Sequence, residues 1–134
     1  MRPGSIVRIY APTVGYNKYH LCLRAAGPGQ AAEFIFMSSE PGFDASLDVP
    51  CARVPCIPPS ETGYTCISLN RVVRYNERQL ELFQSLILGE MDQTLAVDLH
   101  AFALIPANVE ALPKSKAAWV RQELALLAQP PGVR

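Results

Sequence analysis

Lys18, His20, Ser38 and Ser39 are the side chains of this sequence whose types and spacing suit chemistry. A lysine ammonium neutralises a phosphate as a point charge. A histidine moves protons near neutral pH, and a hydroxyl can stabilise a developing oxyanion. A cation, a proton carrier and a hydroxyl together suit attack on a phosphodiester. Lys18 and His20 stand two apart in Lys18-Tyr19-His20-Leu21-Cys22-Leu23. Alternation puts Lys18, His20 and Cys22 on one strand face and Tyr19, Leu21 and Leu23 on the other. Polar side chains that interrupt an apolar strand cost energy if buried unpaired, so they need a reason. Ser38 and Ser39 end the apolar run Phe34-Ile35-Phe36-Met37. Their plain alternative is a strand end, since serine favours turns and Glu40-Pro41-Gly42 follows.

Further residues are candidates for binding rather than catalysis. Tyr16, Asn17 and Tyr19 flank Lys18. Tyrosines there can stack on bases, which is how single-stranded RNA is read, or can simply rim a barrel. Ser68 and Asn70 sit on the more polar face of a strong strand. They would line a groove floor or satisfy neighbouring backbone groups. Zero net formal charge excludes a surface that is basic throughout. Any nucleic-acid contact therefore needs a local patch, to which Arg71, with Arg8 and Arg74, would contribute.

The elements that must position these groups are strands first and helices second. Ile6–Tyr10, Lys18–Leu23 and Glu33–Ser38 read as strands separated by Gly/Pro punctuation. The third is apolar on both faces, so something must cover each side. Residues 39–60 carry Pro41, Pro50, Pro55, Pro58 and Pro59. Within them Leu47–Val49 and Ala52–Val54 are expected as short edge strands. Tyr64–Val73 is the strongest strand pattern. The period then switches. Asn76 with Gln79 predicts a capping box opening a helix to Leu88, with Gly89 as its stop. Asp92 is expected to cap a second helix to Leu104, and a third spans Lys114–Ala128. Pro130-Pro131-Gly132 is expected as a frayed tail. The fold class is α+β: a small antiparallel β-barrel over about 4–75, followed by C-terminal helices over about 76–128, in one domain of 134 residues.

Cysteines stand at 22, 51, 56 and 66. The Cys51–Cys56 spacing differs from the usual knuckle and lacks a second pair, so no metal and no cofactor are expected. Reduced thiols acting as small hydrophobes are favoured over a Cys51–Cys56 disulfide. No apolar run approaches a membrane span, and Arg2 is followed by no secretory apolar stretch. The expected compartment is the cytoplasm, with no membrane partner.

Gly4-Ser5-Ile6-Val7-Arg8-Ile9-Tyr10, a Gly-containing loop, a basic residue opening the next strand and an apolar strand ending in hydroxyls together resemble the MazF/PemK toxin family. The run Thr65–Tyr75, leading into Asn76–Leu88, is similar to that family's last strand and C-terminal helix. The resemblance covers residues 3–88. It implies an SH3-like barrel and metal-independent endoribonuclease activity on single-stranded RNA. That reaction leaves 2′,3′-cyclic phosphate and 5′-OH ends. It also implies a homodimer and a cognate antitoxin. Lys18 stands where the family has an arginine, and Ser38 or Ser39 where it has a threonine. The competing expectation is a non-catalytic SH3-like interaction module or an inactive family member. The discriminator is whether Lys18, His20 and a serine hydroxyl line one open groove.

Overall fold

Two alternating runs and one apolar on both faces make the first three strands of the computed structural model, which describes residues 1–130 and 132. These are β1 (Ser5–Ala11), β2 (Tyr16–Arg24) and β3 (Ala32–Ser38). They are followed by β4 (Ser46–Pro50), β5 (Tyr64–Tyr75), α1 (Glu77–Leu82), β6 (Leu86–Glu90), α2 (Gln93–Ala103) and α3 (Lys114–Ala128). All pairings are antiparallel, in the order β4-β5-β3-β2-β1-β6. The sheet curls into a half-barrel, and β4 and β6 remain its edges. The expected tail includes Pro131, which lies outside the described residues.

Strand alternation sorts the core into two clusters. Ile6, Leu21, Leu23, Ile35, Met37, Ile67 and Leu69 face α2 and α3, where Leu95, Leu99, Val120 and Leu124 meet them. Val7, Ile9, Cys22 and Phe34 form the other cluster, with Tyr75 and Leu80. β3 is thus covered on both sides. Each fully buried Leu or Ile contributes about 1.5–3 kcal/mol. Burial of this kind outweighs the weak local preferences of the helices.

α3 is further tied to the sheet by charge. Glu33 on β3 is buried and takes Lys116 Nζ at 2.8 Å and Arg24 at 3.0 Å, with Arg74 at 3.7 Å. Trp119 packs beneath two of these cations, Lys116 at 4.7 Å and Arg24 at 5.6 Å from its ring centre.

The expected helix to Leu88 is the main correction. The capping box of Asn76 and Gln79 is present, but α1 ends at Leu82. Gln84 takes a left-handed conformation (φ 53°). Its N–H donates to the Glu81 carbonyl, and that of Ser85 to the Leu80 carbonyl. This is a Schellman termination with glutamine in the glycine position. The chain then turns into β6 and pairs with β1. Leu80, Phe83, Leu86 and Ile87 fit a helical stripe, yet they divide between a short helix and a strand. Gly89 is a strand residue, not a helix stop. A side chain there would meet Cys56 Cβ at 2.8 Å, so the close approach requires glycine. Residues after 75 therefore complete the sheet as well as supplying helices.

Ala52–Val54 is a second correction. Cys51–Arg53 forms a single 3₁₀ turn. The Val54 N–H bonds back to the Cys51 carbonyl at 3.0 Å, and Val54 plugs the core instead of extending a strand.

Candidate functional site

The groove forms where β2 enters the sheet and β3 leaves it. Tyr19 pairs with Met37, so the start of β2 lies beside the end of β3. Lys18 and Ser38 are thereby brought to one opening. A cavity of about 640 Å³ is lined by Tyr16, Asn17, Lys18 and Tyr19 from β2, and by Ser38, Ser39 and Glu40 from the end of β3. Its far wall is Ile57-Pro58-Pro59-Ser60 with Tyr64 and Thr65. Prolines suit this wall because their φ is fixed and it needs no ladder donors. A smaller cavity of about 140 Å³ adjoins it, lined by Lys18, Phe36, Ser38, Phe43, Ser46, Ser68 and Asn70.

The structure brings together most of the predicted site. Tyr16, Asn17, Lys18, Tyr19, Ser38 and Ser39 share the larger cavity, and Ser68 and Asn70 the smaller. Arg71 is exposed and lies outside both linings. Lys18 Nζ lies 5.1 Å from the Phe36 ring centre, over its face. Partial burial pushes the Lys18 pKa below its ordinary value.

His20 does not join them. It shares the strand face of Lys18, as alternation requires, but is 0% exposed. Its ring packs against Phe34, Phe36 and Tyr75 with centroids 5.6, 5.0 and 5.6 Å away. Nδ1 lies 2.9 Å from the Lys18 carbonyl, and Nε2 lies 3.1 Å from the Tyr75 hydroxyl. A carbonyl only accepts, so Nδ1 carries the proton and Nε2 accepts from Tyr75. Burial pushes the imidazole pKa down to about 4. A neutral, sealed and doubly bonded imidazole cannot reach a phosphate in the groove. The expected proton-moving role of His20 is therefore not one this geometry offers.

Several lining groups carried no sequence signal. Phe43 is 66% exposed on the loop between β3 and β4 and borders both cavities. Tyr64 rims the larger one, and Glu40 is the one carboxylate in its lining. Loop residues have no period to read. The nearest signal was Glu40-Pro41-Gly42, which reads as a turn.

The loop holding Phe43 is pinned at three points. The Gly42 N–H donates to Asp48 at 2.9 Å, Asn70 Nδ2 to the Asp44 carbonyl at 3.2 Å, and the Leu69 N–H to the Ala45 carbonyl at 2.8 Å. Asp48 also accepts from the Ser46 hydroxyl at 2.8 Å.

All four cysteines are free. Burial pushes the Cys66 and Cys22 thiols up to about 12. The Ser60 hydroxyl and N–H hold Cys51 below its ordinary value. Among the described residues no group of three or more His, Cys, Asp or Glu side chains is placed to hold a metal ion. Among the described residues no helix is long and apolar enough to cross a membrane. No family model, curated protein or solved structure matches the chain.

Proposed function

We propose that the groove binds single-stranded RNA and cleaves it without a metal, as the toxin half of a toxin–antitoxin pair. The observation that carries this reading is the convergence of Lys18 with Ser38 and Ser39 on one open cavity rimmed by Tyr16 and Tyr64. A strand lacking paired grooves is held by its phosphates and by base stacking, and this lining offers both.

The chemistry follows from what the lining contains. The ribose 2′-oxygen attacks the neighbouring phosphorus and the bond to the 5′-oxygen breaks, leaving a cyclic phosphate and a 5′-OH end. Lys18 neutralises the charge that grows on the non-bridging oxygens, and the Ser38 or Ser39 hydroxyl donates to the same oxygens. With His20 sealed in the core, Glu40 takes the 2′-OH proton as general base. Solvent, which the open groove admits, protonates the departing 5′-oxygen. Lys18 neutralises the phosphate charge as a point charge, without the bidentate fork of an arginine.

The same reading includes a homodimer, an antitoxin that covers the groove, and a cytoplasmic setting. Leu82, Leu86 and Ile87 are exposed on and beside the β6 edge. They offer apolar surface to a second copy.

The burial of His20 favours a second reading, in which the groove holds a strand or a peptide without cutting it. Incubation of the purified protein with a long single-stranded RNA in EDTA tests both. Fragments with 5′-OH ends support the nuclease, and intact RNA supports the binding module.

A further inference from the structure

The cavity of about 140 Å³ beside Lys18 has a size and lining of its own. It is small beside the neighbouring cavity of about 640 Å³, a scale that suits one base better than a stretch of strand. Its aromatic members are Phe36 and the exposed Phe43. Its polar members are Ser46, Ser68 and Asn70. Lys18 and Ser38 belong to both cavities. A phosphate held at Lys18 therefore stands at the junction, and the base of an adjoining nucleotide falls within reach of the smaller chamber.

Asn70 is the group in this chamber able to read a base edge. One N–H of its amide is used on the Asp44 carbonyl at 3.2 Å. The second N–H and the carbonyl oxygen are left to form a donor–acceptor pair. Such an amide edge matches a base edge that presents an acceptor beside a donor, as adenine does. Ser68 is fixed beside it, its hydroxyl accepting from the backbone N–H of Asn70 at 3.3 Å. The pinned loop holds Phe43 at the chamber mouth, where an aromatic ring supplies sequence-tolerant stacking.

We propose that this chamber is a single-base subsite of the RNA groove, with Phe43 as its stacking surface and Asn70 as its base-selecting residue. This rests on the reading of the groove as an RNA site. Stacking and selection are separate functions here, so they are separable by substitution.

The test is binding of labelled eight-nucleotide homopolymers of A, C and U, 2′-O-methylated so that no 2′-OH is present to attack, followed by fluorescence anisotropy. The wild-type protein is expected to prefer one strand by about tenfold, the discrimination one good amide–base pair provides. Asn70→Asp replaces the donor with an acceptor and should erase or reorder that preference. Phe43→Ala should weaken all three strands by a similar factor while keeping their order. Lys18→Ala should likewise weaken all three. Asn70→Ser, which leaves a small polar group, should also lose the preference. Equal weakening of the three strands by Asn70→Asp, or an unchanged order in both Asn70 variants, overturns the subsite while the RNA groove stands. Failure of the wild-type protein to bind any strand overturns the groove reading and the subsite with it.

Discussion

His20 Nε2 and the Tyr75 hydroxyl meet at 3.1 Å in the core, while the His20 ring and the Lys18 ammonium both pack on Phe36, 5.0 and 5.1 Å from its ring centre. Two residues of one strand face thus have opposite fates. Lys18 opens on the groove, and His20, two positions deeper, is closed over by rings from β3 and β5. One lines the groove and the other packs the sheet.

A pH dependence of stability follows from His20. Its folded pKa of about 4 lies below its ordinary 6.5. Between those values the unfolded chain binds more protons, so stability is full above pH 6.5 and falls as pH drops toward 4. The loss reaches roughly 3 kcal/mol by pH 4. Urea midpoints between pH 7 and pH 4 should fall steeply in the wild type. In His20→Gln they should start lower at pH 7, because the imidazole's bonds and packing are lost, and slope less. Equal slopes in the two proteins would show that another group drives the acid transition.

Glu33 should matter more to folding than its position near a sheet end suggests. Glu33→Ala leaves Arg24, Lys116 and Arg74 without their shared carboxylate. Removing one partner of a buried pair costs about 3–5 kcal/mol. The three cations keep some solvent contact, so about 2 kcal/mol is expected from that principle. Thermal unfolding should show the loss for Glu33→Ala and a smaller one for Lys116→Ala. A Glu33→Ala protein as stable as the wild type would mean that Trp119 and the apolar contacts hold α3 unaided.

Gln84 occupies a left-handed position that glycine adopts without strain. Gln84→Gly should raise stability by roughly 0.5–1 kcal/mol, an estimate from the cost of left-handed backbone in a side-chain-bearing residue. The measurement is a denaturant midpoint at pH 7. A lower midpoint would show that the lost side chain outweighs the relieved backbone.

The sheet was legible in the sequence wherever one face differed from the other. β1, β2 and most of β5 follow from alternation, β3 instead from an apolar run bounded by turn signals, α2 from its Asp92 cap and apolar spacing, and α3 from apolar spacing alone. Residues 77–90 were not legible. Leu80, Phe83, Leu86 and Ile87 fit a helical period, and the break depends on a left-handed Gln84 that no spacing announces. Alternation placed Lys18 and His20 on one face correctly. It could not show that Phe34, Phe36 and Tyr75, distant in sequence from His20, close over the deeper residue. Lys18, Ser38 and Ser39 were singled out by the strand layout together with the family resemblance, which implies a cation and a hydroxyl at those places. Phe43, Glu40 and Tyr64 reach the groove through irregular loops and a strand end, where no pattern marks a direction.

The most direct test of the nuclease is cleavage of a long single-stranded RNA by the purified protein in EDTA, with Lys18→Ala and Glu40→Gln beside the wild type. Wild-type protein should leave 5′-OH and cyclic phosphate ends. Lys18→Ala should be slower by about 10²–10³-fold, the typical effect of removing one transition-state charge stabiliser. Glu40→Gln should be slower by about 10²-fold, as for loss of a general base. RNA left intact by wild-type protein at high concentration, or cut equally well by Lys18→Ala, would contradict the assignment of this groove as a ribonuclease site.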